Sequence, residues 1–84
     1  MIFNYEAMGR TVRTLRRRQK LTQEVLSGLA GIARTHLTMI ENATIHANIE
    51  TVWRIALALN MKPSEFFSCV EQELLPPDEA DKGK

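Results

Sequence analysis

Thr22-Gln23-Glu24-Val25-Leu26-Ser27-Gly28-Leu29-Ala30-Gly31 runs directly into Ile32-Ala33-Arg34-Thr35-His36-Leu37-Thr38-Met39-Ile40-Glu41-Asn42. Thr22 is a good helix N-cap, and Glu24 falls in the first turn, where the helix dipole favours negative charge. Leu26, Leu29 and Ala30 make the expected buried stripe of this helix, and Gly31 suits a left-handed stop. Only Ile32 and Ala33 separate that glycine from a second periodic segment, residues 34–42. With Ala33 as its N-cap, Ile32 and Leu37 are spaced for a hydrophobic staple. Two short helices joined by a glycine-pinned turn decide the fold.

Outside this stretch the pattern stays helical. Asn4 is an N-cap for a helix over residues 4–18, with Met8, Val12 and Leu15 on one face. Asn48 caps a fourth helix that buries Val52, Ile55, Ala56 and Leu59, and Asn60 closes it in the left-handed conformation. Pro63 suits the first position of a fifth, carrying Phe66, Phe67, Val70 and Leu74. No strand pattern or internal repeat occurs. The expected fold is all-α, five short helices over residues 1–75, followed after Pro76-Pro77 by an acidic, disordered tail, 76–84.

The 84 residues are 44% hydrophobic and 25% charged, which fits a single globular domain. A lone cysteine, Cys69, excludes an intrachain disulfide and a cysteine-based zinc site, and fits a reducing compartment. The longest apolar run, Ile55–Leu59, is far below the ~20 residues that cross a bilayer. Residues 1–6 lack the basic start and apolar stretch of a signal peptide. The expected location is cytoplasmic, without membrane contact.

Charge divides along the chain. Residues 1–62 carry nine Lys/Arg against four Glu, and residues 63–84 carry two Lys against six Asp/Glu. Six of the basic residues lie between Arg10 and Lys20. The body attracts polyanions and the C-terminal segment repels them.

On a helical wheel with Arg34 at zero, Thr38, Asn42, Thr35 and Met39 fall at about 40°, 80°, 100° and 140°. Ala33, Leu37 and Ile40 fall on the opposite side. The outer face thus offers a guanidinium, two hydroxyls, an amide and a thioether, with His36 at one flank. These groups suit donor, acceptor and methyl contacts to base edges in a major groove, although the same pattern serves a solvated face.

Catalytic constellations are not legible. The only aspartates are Asp78 and Asp81, the two histidines lie ten residues apart, and Cys69 stands in no nucleophile motif. No metal, cofactor or catalytic residue is expected.

The chain resembles the helix-turn-helix regulators of the lambda repressor and Cro (xenobiotic-response-element) type. The resemblance rests on Met8-Gly9, Val12-Arg13, Leu15-Arg16, Leu21-Thr22-Gln23-Glu24, Leu26, Ala30-Gly31-Ile32, Arg34, Leu37 and Ile40-Glu41. It continues through Ile49-Glu50-Thr51, Ile55-Ala56 and Leu59 to Glu65-Phe66-Phe67. The resemblance implies a dimer on a double-stranded DNA operator, with residues 34–42 as the recognition helix. Arg34, Thr35, Thr38 and Met39 then face bases, while Gln23 holds a phosphate at a helix N-terminus. It also implies that Arg16 and Glu41 tie the first helix to the third.

Three positions depart from the family pattern. Ala33 replaces a capping Ser or Thr, and Ala43 replaces a glycine. Met39 offers no hydrogen bond, so its base contact is expected to be apolar, for example with a thymine methyl. With no Lys or Arg between residues 35 and 53, backbone contacts from the loop fall to its N–H groups, Thr44, His46 or Asn48.

The expected function is sequence-specific transcriptional regulation by a small stand-alone member, similar to restriction–modification controller proteins. The alternative is an antitoxin-type protein that binds a toxin partner and represses its own operon. Phe66, Phe67, Val70 and Leu74 are the expected homodimer surface.

Overall fold

A computed structural model describes residues 1–75; the expected acidic tail, 76–84, lies outside the described residues. Five helices follow in order: α1 Tyr5–Arg18, α2 Gln23–Ala30, α3 Arg34–Glu41, α4 Ile49–Ala58 and α5 Pro63–Leu74. Three starts are fixed by side-chain caps. Asn4 accepts from the Ala7 N–H at 2.7 Å, Thr22 from Val25 at 3.1 Å, and Asn48 from Thr51 at 2.8 Å. At α5, Glu65 reaches back to the Lys62 N–H at 2.8 Å behind Pro63. Ala33 leaves α3 without such a cap.

Four of the helices end alike. Lys20, Gly31, Ala43 and Asn60 all take left-handed conformations, with φ between 58° and 72°. The next residue in each case bonds five residues back: Leu21 to Arg16, Ile32 to Ser27, Thr44 to Met39 and Met61 to Ala56, at 3.0–3.1 Å. This is the Schellman closure, which satisfies the last carbonyls of a helix. Gly31 and Asn60 suit it intrinsically; Lys20 and Ala43 adopt it against a steric cost.

The core joins all five helices through Met8, Val12, Leu26, Leu37, Ile55 and Phe66. Gly9 lets α1 sit directly on the end of α3. A Cβ there would lie 2.6 Å from the carbonyl oxygens of both Ile40 and Glu41, so only glycine permits this approach.

Two expectations about burial are corrected. Leu29 is 62% exposed, while Ser27 is buried. Helix α2 is rotated so that its inner arc runs through Leu26, Ser27 and Ala30, and the Ser27 hydroxyl is satisfied by the Glu24 carbonyl at 3.0 Å. Phe66 and Val70, expected at a dimer surface, are 0% and 1% exposed. The chain's own core consumes them because α5 lies against both α1 and α4. Of that set, Phe67 and Leu74 keep exposed surface.

Candidate nucleic-acid interface

Glu41 is the last residue of α3 and points inward, its side chain wholly removed from solvent. A buried carboxylate needs donors on both oxygens, and here helices α1 and α2 supply them. Arg16 donates from Nε to Oε2 at 2.7 Å and from Nη2 to Oε1 at 3.0 Å. Gln23 donates to Oε1 at 3.1 Å, and Arg13 approaches the same oxygen at 3.4 Å. The remaining Arg16 nitrogen donates to the Leu21 carbonyl at 3.0 Å. Arg16 and Glu41 therefore form the expected tie between α1 and α3.

Burial pushes the Glu41 carboxyl up. The hydrogen bonds from Arg16 and Gln23, the Arg16 charge and the Arg13 contact outweigh that effect and hold it below its ordinary value.

The same network reaches the outer face of α3. Gln23 Oε1 lies 3.0 Å from the Thr38 hydroxyl, which is equally close to the Arg34 carbonyl. The hydroxyl has a single proton to share between them. Arg13 donates through Nη2 to the Asn42 side-chain oxygen. Thr38 and Asn42 are thus held in place rather than loose, with Thr38 lone pairs and the Asn42 amino group left to meet a ligand.

Arg34, Thr35, Met39 and Asn42 are exposed along one side of α3, while Thr38 and His36 are half-buried. The wheel therefore holds, with Leu37 and Ile40 on the buried side. Below Arg34 an open polar notch is lined by Arg16, Arg17, Thr22, Gln23, Glu24 and Arg34. It lies at the N-terminus of α2, where unpaired backbone N–H groups and the helix dipole favour an anion. Arg17 belongs to this notch. Sequence reasoning grouped it with the other α1 arginines, because a charge run in a helix does not reveal which member faces the next one.

The remaining basic residues separate by partner. Arg10 pairs with Glu73 of α5 at 3.4 Å on the surface, and Arg13 is engaged with α3. The loop after α3 is also occupied: Asn48 caps α4, the Thr44 hydroxyl donates to the Met39 carbonyl at 3.3 Å, and His46 stacks on Tyr5 at 4.0 Å. Among the described residues no cluster of three metal-ligating side chains occurs, and no helix is long and apolar enough to cross a membrane.

The helix-turn-helix family model HTH_3 matches residues 12–66, more than half of the chain. This chain belongs to the helix-turn-helix family. Among solved structures, this helix-turn-helix protein is similar to the restriction-modification controller protein C.AhdI from Aeromonas hydrophila. That match has 28% identity and a TM-score of 0.72, over 75% of this chain and 96% of that one. It also resembles C.Esp1396I bound to a 19 base pair DNA duplex, at 23% identity and a TM-score of 0.83, over 89% and 100% of the two chains. The clp gene regulator ClgR from C. glutamicum shares the fold at 16% identity and a TM-score of 0.80, over 89% and 97%. No curated protein sequence matches.

Proposed function

We propose that this helix-turn-helix protein is a sequence-specific DNA-binding transcriptional regulator that works as a homodimer, with α3 in the major groove. The observation that carries the reading is the arrangement of α3 beside the α2 notch. Arg34, Thr35 and Met39 project freely, while Arg17 and Gln23 flank a helix N-terminus next to them. Bases and an adjacent phosphate are spaced for that division.

Arg34 is the guanine-reading side chain, and Thr35 and Met39 supply hydroxyl and methyl-directed contacts. Thr38, Asn42 and His36 border them. Gln23 and Arg17 hold a phosphate; Gln23 uses the second hydrogen of its amino group, since the first goes to Glu41. The controller protein C.AhdI, and C.Esp1396I as a tetramer on its natural 35 base-pair operator, support this reading by likeness of fold. In it the chain acts in the cytoplasm, needs no cofactor and is not an enzyme.

Selection from a randomised duplex pool tests the proposal. It should enrich a two-fold symmetric site with half-sites ~34 Å apart, one helical turn. Equal affinity for every duplex after repeated rounds would contradict it.

A further inference from the structure

The polar side chains along the outer edge of α3 are not free to choose between donating and accepting. The constraint starts at the buried Glu41, which the Arg16 guanidinium holds as a carboxylate and which can therefore only accept. Whatever meets it from Gln23 at 3.1 Å must be the amino end of that side chain, and this fixes which way the amide points. The other end, Oε1, is a carbonyl oxygen and needs a donor. Among the described residues that donor is the Thr38 hydroxyl, 3.0 Å away. The same hydroxyl lies 3.0 Å from the Arg34 carbonyl, a bond that threonine commonly makes one turn back in a helix. Both inward neighbours are acceptors, so the single Thr38 proton stays inside and only lone pairs of Oγ1 face outward.

The neighbours of Thr38 on that edge have the opposite polarity. Arg34 lies one turn before it and Asn42 one turn after. A guanidinium has donors only. Asn42 has its side-chain oxygen engaged by Arg13 Nη2, which leaves its amino hydrogens outward. The edge thus runs donor, acceptor, donor.

We propose that Thr38 is a specificity-determining residue that accepts a hydrogen bond from an exocyclic amino group in the major groove, N4 of cytosine or N6 of adenine. The inference rests on the DNA-binding reading above and adds the chemical class of base edge that this position takes. Amino donors occur in the major groove on those two bases alone; guanine and thymine show acceptors and a methyl group there. A hydroxyl free to turn would serve either class and discriminate poorly. One whose proton is held inward rejects guanine O6 and thymine O4, because donating to them would leave Gln23 Oε1 without a donor. Phosphate contact does not undo this. Gln23 has a spare amino hydrogen for a phosphate, so its Oε1 still needs Thr38 when DNA is bound. The place beside Arg34 suits the role, since one G·C pair shows guanine acceptors and a cytosine amino group on the same edge.

The test uses the operator obtained by selection and copies of it lacking one amino group at a time, with purine for adenine or 2-pyrimidinone for cytosine. The full chain is titrated on each at fixed salt. The unaltered protein should lose about three- to tenfold in affinity at one such position per half-site. A loss on purine names adenine as the partner, and a loss on 2-pyrimidinone names cytosine. Thr38→Val, which keeps the shape of the side chain, should lose a similar factor on the intact operator and nothing further on the duplex lacking that amino group. Thr38→Ser, which keeps the hydroxyl, should behave as the unaltered protein. If Thr38→Val and the unaltered protein respond alike to every missing amino group, the proposal is wrong and the DNA-binding reading stands. Full affinity of Thr38→Val for the intact operator would equally overturn it, reducing the side chain to a methyl contact. A selection that enriches no site would remove both. The scan of the unaltered protein needs no substitution, and indifference to every amino group would contradict the proposal by itself.

Discussion

Arg16 and Arg34 line the same notch as Gln23, and the protein treats them in opposite ways. Arg16 is buried, and all its nitrogens are satisfied by Glu41 and the Leu21 carbonyl. Arg34 is exposed, with no ion-pair partner among the described residues. A guanidinium that the fold has already matched holds helices together. One that the fold leaves unmatched is available to a ligand. The difference separates the scaffold of α3, anchored at Glu41, from its reading face around Arg34 on the same short helix.

The comparison is most easily broken on the Arg16 side. Arg16→Ala leaves the Glu41 carboxylate buried with only Gln23 and the longer Arg13 contact, and should cost on the order of 3 kcal/mol. Denaturant titration should show this as a lower midpoint, while the order of preference among DNA sequences stays the same. Unchanged stability with lost DNA binding would move Arg16 to the phosphates.

Acid probes the same pair from the other partner. The Glu41 carboxyl is held below its ordinary value of 4.5 in the folded chain, so the unfolded chain binds a proton first as pH falls. Its stabilisation is complete above about pH 4.5 and is lost as pH drops through the folded value. Melting temperature should decline across that acid range, and the Glu41→Gln variant should lack this part of the decline. Parallel acid profiles of the two proteins would contradict the assignment.

A smaller effect sharpens the boundary between scaffold and loop. Ala43 ends α3 at a φ of 58°, where a Cβ is strained. Ala43→Gly should stabilise the chain by about 0.5–1 kcal/mol, the relief of strain exceeding the entropic cost of glycine. A thermal melt that falls instead would show that the Ala43 methyl packs usefully.

These contrasts also explain what was legible in the sequence. Asn4, Thr22, Gly31, Asn48 and Pro63 act on backbone groups within a few residues, so each helix start and the turn before α3 could be read locally. Lys20 and Ala43 could not, because nothing in a lysine or an alanine signals a left-handed residue; the chain beyond them imposes it. Leu29 and Ser27 exchanged places because eight residues of α2 make just over two turns, too few for periodicity to set the rotation of the helix. Phe66 and Val70 were rightly apolar, but apolarity alone does not say whether a side chain meets its own core or another copy. In the candidate site, the outward set around Arg34 follows from the wheel. The ties from Gln23 to Thr38 and Glu41, and the turning of Arg17 into the notch, are tertiary facts with no local signature.

The division between an arginine that holds and an arginine that reads is tested most directly by titrating Arg34→Ala and Gln23→Ala on the selected operator and on a scrambled duplex, at two salt concentrations. Arg34→Ala should cost about 1–3 kcal/mol on the operator and much less on the scrambled duplex, flattening preference at one base pair per half-site. Gln23→Ala should weaken both duplexes about equally and leave the salt dependence nearly unchanged, because a neutral amide releases few counterions. An equal loss on both duplexes for Arg34→Ala would contradict base reading by that residue.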